Sequence, residues 1–526
     1  MSEPGSVLLE PPPPVLAPEK DAPARDSASP FADPNYGREA EQPGYIIRSH
    51  PTWKLEETQT LLTGSVSLGV VLLSAVTLAL LPRENFSLEF LLSWLSLDAL
   101  QAAMQMETSE LALLLLAKGA YWHRVFLICA AAFSAMAFVE LFVCRVYTRH
   151  FDFAAPRPVD DAAWRRIFAR WFALAGCFAL AFIAYGILGE YRFFNFPYPS
   201  SWYYAPYREL FIGAAWTVLA CAIPYFWMVE RYARHNGPHD EFLILANCFR
   251  RAVAGLFLQS AREDARSALG NAHLPNVFLG LLVKFFFVPL MFTWTLSGWG
   301  EWERMSHTLI DTWGSRAWGS SADVALNFRS VHEALLRFAI TAELTTAFIA
   351  YMASFRILDT QVTTAEPTFF GWAMALVCYP PFHSVTAIYL TVQAQDVWNA
   401  DATIAYPVLS IMCSILILAL LAIYGWCTFC FGLRFSNLTN RGIIYCGPYK
   451  HVRHPAYICK NGAWLLALIP VTIYHPFAGL VYLARQLGTC GIYYLRAITE
   501  ERHLMREPHY QEYCKRVPWR FIPGVW

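Results

Sequence analysis

Charged side chains are scarce in this sequence. They make up 15% of 526 residues, against about 25% in soluble globular proteins. So few charges cannot cover a water-facing surface, which excludes a soluble globule. Neither sign is in excess, since 40 Lys and Arg stand against 40 Asp and Glu. There is therefore no basic footprint for nucleic acid. A disulfide framework is also missing: the thirteen cysteines are scattered, many inside apolar runs, where a thiol behaves as a small hydrophobe. No metal centre is marked either. The one Cys-x-x-Cys, Cys427 and Cys430, has no second pair, whereas structural zinc takes about four ligands. The first residues are acidic and proline-rich rather than basic and then apolar, so no signal peptide is expected. No repeat recurs at a fixed period.

What remains is apolar: 56% of residues are hydrophobic and 16% aromatic. Lipid offers no partner to free backbone groups, so the spanning segments must be helices. The expected fold is an all-α polytopic transmembrane helical bundle of about eight spans with a C-terminal membrane hairpin. Runs of about 20 apolar residues, enough to cross hydrocarbon, lie near Thr60–Leu81, Val125–Cys144, Ile167–Leu188, Leu210–Val229, Val277–Ser297, Leu335–Phe355, Phe369–Val392 and Val408–Phe431. Phe86 to Ala117 is apolar but broken by Glu89, Asp98, Glu107 and Glu110, and reads as an amphipathic helix at the interface. Farther on, Gly462–Tyr474 is too short to cross, and Phe477–Leu495 follows at once after His475-Pro476. The pair reads as a hairpin that enters and returns to one side.

Arginine and lysine crowd alternate loops. Arg145, Arg149, Arg157, Arg165 and Arg166 follow the second span, and Arg231, Arg234, Arg250, Arg251, Arg262 and Arg266 the fourth. Arg434, Arg441, Lys450, Arg453 and Lys460 follow the eighth. With both termini cytoplasmic, every strongly basic loop falls inside, as the positive-inside rule requires. Three parts are expected: a disordered Pro-rich cytoplasmic tail over 1–56, a transmembrane helical region over 57–407, and a distinct C-terminal membrane domain over 408–526. The first holds Pro11-Pro12-Pro13-Pro14 and alternating charges, a composition that cannot bury a core.

The central block is poor in site-like groups. Lys284, Glu343 and His383 sit inside apolar spans, where ionisable groups are costly; pairing within the bundle is the plain reading, a substrate cavity the sharper one. The C-terminal region is richer. Tyr445-Cys446-Gly447-Pro448-Tyr449-Lys450-His451-Val452-Arg453-His454-Pro455-Ala456-Tyr457 has a Gly-Pro turn and a proline suited to the first position of a helix. The start of that helix would set free N–H groups beside Arg453 and His454, a place for an anion. A second cluster holds Glu500-Glu501-Arg502-His503-Leu504, then Tyr510-Gln511-Glu512-Tyr513-Cys514-Lys515-Arg516-Val517-Pro518. Glu512 and Arg516, four apart, share a helix face. Headgroup anchoring explains the basic residues here, but neither the adjacent carboxylates nor the Arg-His-Pro-x-Tyr turn.

Arg453-His454-Pro455-Ala456-Tyr457, then Glu500-Glu501-x-x-Leu504, then Tyr513-x-x-Arg516-Val517-Pro518 resembles, as an ordered set, the isoprenylcysteine carboxyl methyltransferases. These are grouped with the phospholipid methyltransferases as integral membrane enzymes that use S-adenosyl-L-methionine. The likeness covers the C-terminal fifth. It implies a cofactor pocket from Tyr449, His454, Pro455, Tyr457, Glu500, Glu501 and Leu504, with Arg453, Glu512 and Arg516 orienting the acceptor and supporting transfer. Cys459 and Lys460 depart from it, standing where that family commonly has glycine. The stretch Val517-Pro518-Trp519-Arg520-Phe521-Ile522-Pro523 also resembles the C-terminal unit of the NADPH-dependent sterol reductases. The implied activity is methyl transfer to a lipophilic or lipidated acceptor in the membrane, with the site facing the cytoplasm; a reductase and a non-catalytic lipid-binding protein are the alternatives. A carboxylate acceptor is already ionised at pH 7, so the protein need mainly align two reactants.

Overall fold

The computed structural model describes residues 59–80, 121–190, 205–234, 240–257, 273–379, 382 and 400–525. The expected tail over 1–56, the amphipathic segment 86–117 and His383 lie outside the described residues. Thirteen α-helices carry the described fold: α1 (Thr60–Leu80), α2 (Tyr121–Phe138), α3 (Asp161–Glu190), α4 (Ala205–Tyr232), α5 (Glu241–Phe257), α6 (Leu274–Thr312), α7 (Ser321–Met352), α8 (Phe369–Leu376), α9 (Ala400–Ala405), α10 (Pro407–Phe431), α11 (Pro455–Tyr474), α12 (Pro476–Leu504) and α13 (Pro508–Arg516). Among the described residues, eight helices are long and apolar enough to cross a bilayer. The chain is an all-α polytopic membrane bundle.

Seven of the eight coincide with the expected spans. Of the expected span Phe369–Val392, the described part is a helix that stops at Leu376, shortly before Tyr379-Pro380, where proline disfavours helix in the residue before it; residues 380, 381 and 383–392 lie outside the described residues. The eighth is α11, 20 residues from Pro455, longer than its apolar run because the helix recruits Tyr457, Lys460 and Asn461. Proline is the first residue of α10, α11, α12 and α13, where its fixed φ suits a helix start and its missing N–H is not needed. Proline inside α6 is handled differently. Pro289 cannot donate to the carbonyl four residues back, that of Phe285, and the hydroxyl of Tyr185 on α3 donates to that oxygen instead at 2.8 Å.

The hairpin is made by α11 and α12 with only His475 between them. Its arms are antiparallel, because Asn461 faces Gln486 near the middle while Tyr457 meets Glu500 near the open end. The turn is tight enough that a Cβ on Gly479 would lie 2.3 Å from the Cα of Thr472.

Helix α1 packs against α10 through small residues, as helices in lipid do. A Cβ on Gly64 would lie 1.9 Å from the carbonyl oxygen of Phe429, and the Thr60 hydroxyl donates to the Cys430 carbonyl. Gly64→Ala must push the two helices apart. It should lower the thermal midpoint of the detergent-solubilised protein, by the about 1–3 kcal/mol of an overpacked core; an unchanged melt would contradict this close crossing.

Two buried arginines tie the loops at the end of α10. Arg434 reaches Glu140 at 3.3 Å and Asp359 at 3.5 Å, and Asp359 also takes Arg149 at 2.8 Å and lies 2.5 Å from His150. Arg441 donates to the main-chain carbonyls of Thr360, Ala350, Leu433 and Phe435 at 2.8, 2.7, 3.3 and 3.3 Å, and to that of Ala353. It thereby satisfies carbonyls that the end of α7 leaves without helical partners. A two-residue antiparallel ladder, β1 (Thr364–Ala365) with β2 (Thr439–Asn440), joins the loop before α8 to the loop after α10.

Candidate active site

Four pieces of chain converge at the open end of the hairpin. The loop from Gly432 to His454 leaves α10 and turns at Gly447, whose φ of 54° is left-handed and whose Cβ would come 2.6 Å from the Sγ of Cys430. The start of α11 follows, and α12 brings its last two turns alongside. The stretch after α13 then lies along residues 453–454: Arg453 N donates to the Trp519 carbonyl at 2.9 Å and His454 N to that of Arg520 at 3.0 Å.

Glu501 is the knot of this assembly. Its carboxylate accepts from Arg453 Nη1 at 3.1 Å, from Arg520 Nε and Nη2 at 3.0 and 2.8 Å, and lies 3.0 Å from His454 Nε2. Burial pushes its pKa up, but the hydrogen bonds from His454 and Arg520 and the neighbouring positive charge outweigh it and hold it at about 2. Glu500, one residue earlier, faces elsewhere: it accepts from Tyr457 Oη at 2.5 Å and from Arg496 Nε at 3.1 Å. The rings of His454 and Tyr457 stack 5.4 Å apart at 10°.

A cavity of about 220 Å³ opens here and runs inward between the hairpin, α7, α8 and α10. Tyr449, Arg453, His454, Tyr457, Glu500 and Leu504 all line it, so residues about fifty apart in sequence share one wall. Pro455 is buried as the first residue of α11. Glu501 stands behind the wall, in the ion cluster. Glu512 and Arg516 pair with each other at 3.3 Å on α13, with the Arg516 guanidinium 5.9 Å from the ring centre of Tyr445; neither lines the cavity.

The central region adds to the same cavity. Glu343 lines its inner end and accepts from Tyr424 Oη at 2.5 Å. Glu366 lines it from the loop before α8 and accepts from Arg502 Nη2 at 3.1 Å. His503 Nε2 lies 2.9 Å from Thr364 Oγ1, and burial, with Arg506 and Arg502 nearby, pushes its pKa down to about 3. It is a neutral imidazole at physiological pH. Lys460, Tyr493 and Arg496 complete the inner wall. Sequence reasoning had no role for Arg496, although its spacing of four from Glu500 was visible. Glu366 carries no local signal at all.

Among the described residues no cluster of His, Cys, Asp and Glu has the makings of a metal site. No family model, curated protein or solved structure matches the chain.

Proposed function

We propose that the chain is an integral membrane methyltransferase that uses S-adenosyl-L-methionine to methylate a lipophilic acceptor. The observation that supports this best is the convergence of the Arg-His-Pro-x-Tyr turn and the Glu-Glu-x-x-Leu segment on one cavity. The residues present suit the cosubstrate. Glu500 offers a carboxylate on the wall, Tyr449 and Tyr457 offer ring faces, and α11 starts without a side-chain cap over its first N–H groups. Carboxylates and aromatic faces both favour a cation, which fits a sulfonium. When bound, that group supplies an electrophilic methyl.

The chain's own part is positioning. Glu501 fixes Arg453 and His454, and Tyr457 and Arg496 together fix the direction of Glu500. Holding two reactants in line can lower a barrier by about 7–11 kcal/mol. The basic loops support a cytoplasmic mouth, from which a diffusible cosubstrate enters, with membrane lipid as the source of the acceptor.

The test is ligand-induced stabilisation of the purified protein with S-adenosyl-L-methionine, S-adenosylhomocysteine and NADPH side by side. The two sulfur compounds should raise the melting temperature. Glu500→Gln should weaken S-adenosylhomocysteine binding at least about tenfold, since a hydrogen bond to a charged group contributes about 1.5–3 kcal/mol, while Arg516→Ala leaves it unchanged. Stabilisation by NADPH alone would replace this reading with the reductase.

A further inference from the structure

Helix α5 supplies nothing to the candidate site, yet it is built with three different faces. Its 17 residues follow α4 after a short loop. Asp240 stands at its start, accepting from Leu243 N at 3.0 Å and from Arg170 Nε of α3 at 2.6 Å. The ring of Phe242 then meets that of Phe226 on α4, centres 6.0 Å apart. These contacts fix the start of α5 against α3 and α4, and with it the direction in which each face looks.

Successive residues turn by about 100° around a helix. Cys248 is buried against the bundle. Phe249, little more than a quarter turn on, is 73% exposed. Leu256, seven residues later, points within about 20° of the same direction and is 78% exposed, and Phe257 beside it is 81% exposed. Arg250 and Arg251 carry the rotation further from the bundle and are exposed as well. Around the helix the order is therefore bundle, apolar face, guanidinium edge.

Three large apolar side chains side by side call for an occupant. The helix cannot take them across the bilayer, because the two arginines sit in its middle, where a span bears them only at high cost. A helix lying in the interface satisfies both faces: apolar side toward the acyl chains, charged edge at the headgroups.

The charge at that edge is also open to an outside partner. Other arginines nearby are matched within the chain: Arg166 and Arg170 by Glu230 and Asp240, and Arg231 by the rings of Trp227 and Tyr232. Among the described residues no carboxylate lies at ion-pair distance from Arg250 or Arg251. The planar guanidinium fork suits a phosphate, which it can hold through two parallel hydrogen bonds.

We propose that α5 docks on an anionic phospholipid surface, with Phe249, Leu256 and Phe257 among the acyl chains and Arg250 and Arg251 on the headgroup phosphates. This site stands independently of the proposed reaction.

The test compares full-length protein in nanodiscs of phosphatidylcholine alone with protein in discs holding phosphatidylcholine and phosphatidylglycerol in equal parts. Amide hydrogen exchange over residues 241–257 is the readout. The mixed discs should slow it at least about tenfold, since each arginine near an anionic surface contributes a factor of about five. Replacing both arginines together, Arg250→Gln with Arg251→Gln, should erase the difference between the discs, and Arg250→Lys with Arg251→Lys should keep most of it. Phe249→Gln with Leu256→Gln should speed exchange in both. Equal exchange in the two lipid mixtures would overturn the proposal, as would a difference that survives the double glutamine variant. So would protection found only in discs that hold two copies, which would make this face a contact between copies. All the substitutions fall on exposed side chains, and the comparison of lipids on the unaltered protein stands without them.

Discussion

Glu501→Ala should destabilise the protein by about 3–5 kcal/mol, the cost of removing one partner from a buried ion cluster. Glu501 is 5% exposed, and its loss would remove the carboxylate that Arg453, Arg520 and His454 share. The measurement is the thermal midpoint of the detergent-purified protein, with Glu501→Gln beside it to keep the shape and remove the charge. A drop below about 1 kcal/mol, the scale of exposed pairs, would contradict the buried cluster. Acid should act through the same residue. The folded pKa of about 2 lies below the unfolded value of about 4.3, so the unfolded chain binds the proton first as pH falls. The stabilisation is complete above that unfolded value and is lost as pH falls toward the folded one. His503, depressed to about 3 by burial, begins to act earlier, as pH falls below its unfolded value of about 6.5. Glu501→Gln should flatten the lower part of the acid profile and His503→Gln the upper part.

Arg441→Met should prevent recovery of folded protein. The guanidinium is 3% exposed, and five main-chain carbonyls accept from it. Each buried polar group left without a partner costs about 1–3 kcal/mol, so five together approach the whole 5–15 kcal/mol that about defines a native protein. Arg441→Lys should rescue little, because an ammonium has three donors where the planar guanidinium has five. Yield of monodisperse protein after purification is the readout, and normal yield of Arg441→Met would refute this role.

Long apolar runs made the bundle legible, because hydrocarbon thickness fixes the length of a spanning helix. The described helices depart from the apolar runs where a short feature outweighs hydropathy. The Phe369 helix stops at Leu376, shortly before Tyr379-Pro380, and α11 gains about two turns ahead of its apolar run, with Tyr457 and Lys460 of that extension on the cavity wall. In the candidate site, the groups legible in sequence were those in tight local motifs: Arg453, His454 and Tyr457 on one side, Glu500 and Leu504 on the other. Glu501 stood in the same motif, but which of two adjacent carboxylates faces the cavity depends on helix phase and on the distant Arg520. Glu366 and Glu343 reach the site by tertiary packing alone, through partners 136 and 81 residues away, and no spacing rule reports that.

The two-residue ladder between Thr364–Ala365 and Thr439–Asn440 limits how the protein can be divided. It holds Glu366 at a cavity that also takes Glu343, Gly371, Ala375 and Tyr379 from before residue 400 and the rest of its lining from after it. A fragment beginning near residue 400, although it carries every motif of the methyltransferase likeness, would be expressed with an incomplete chamber. Halves supplied on separate plasmids should therefore complement each other, whereas the later half grafted onto a foreign helical scaffold should not.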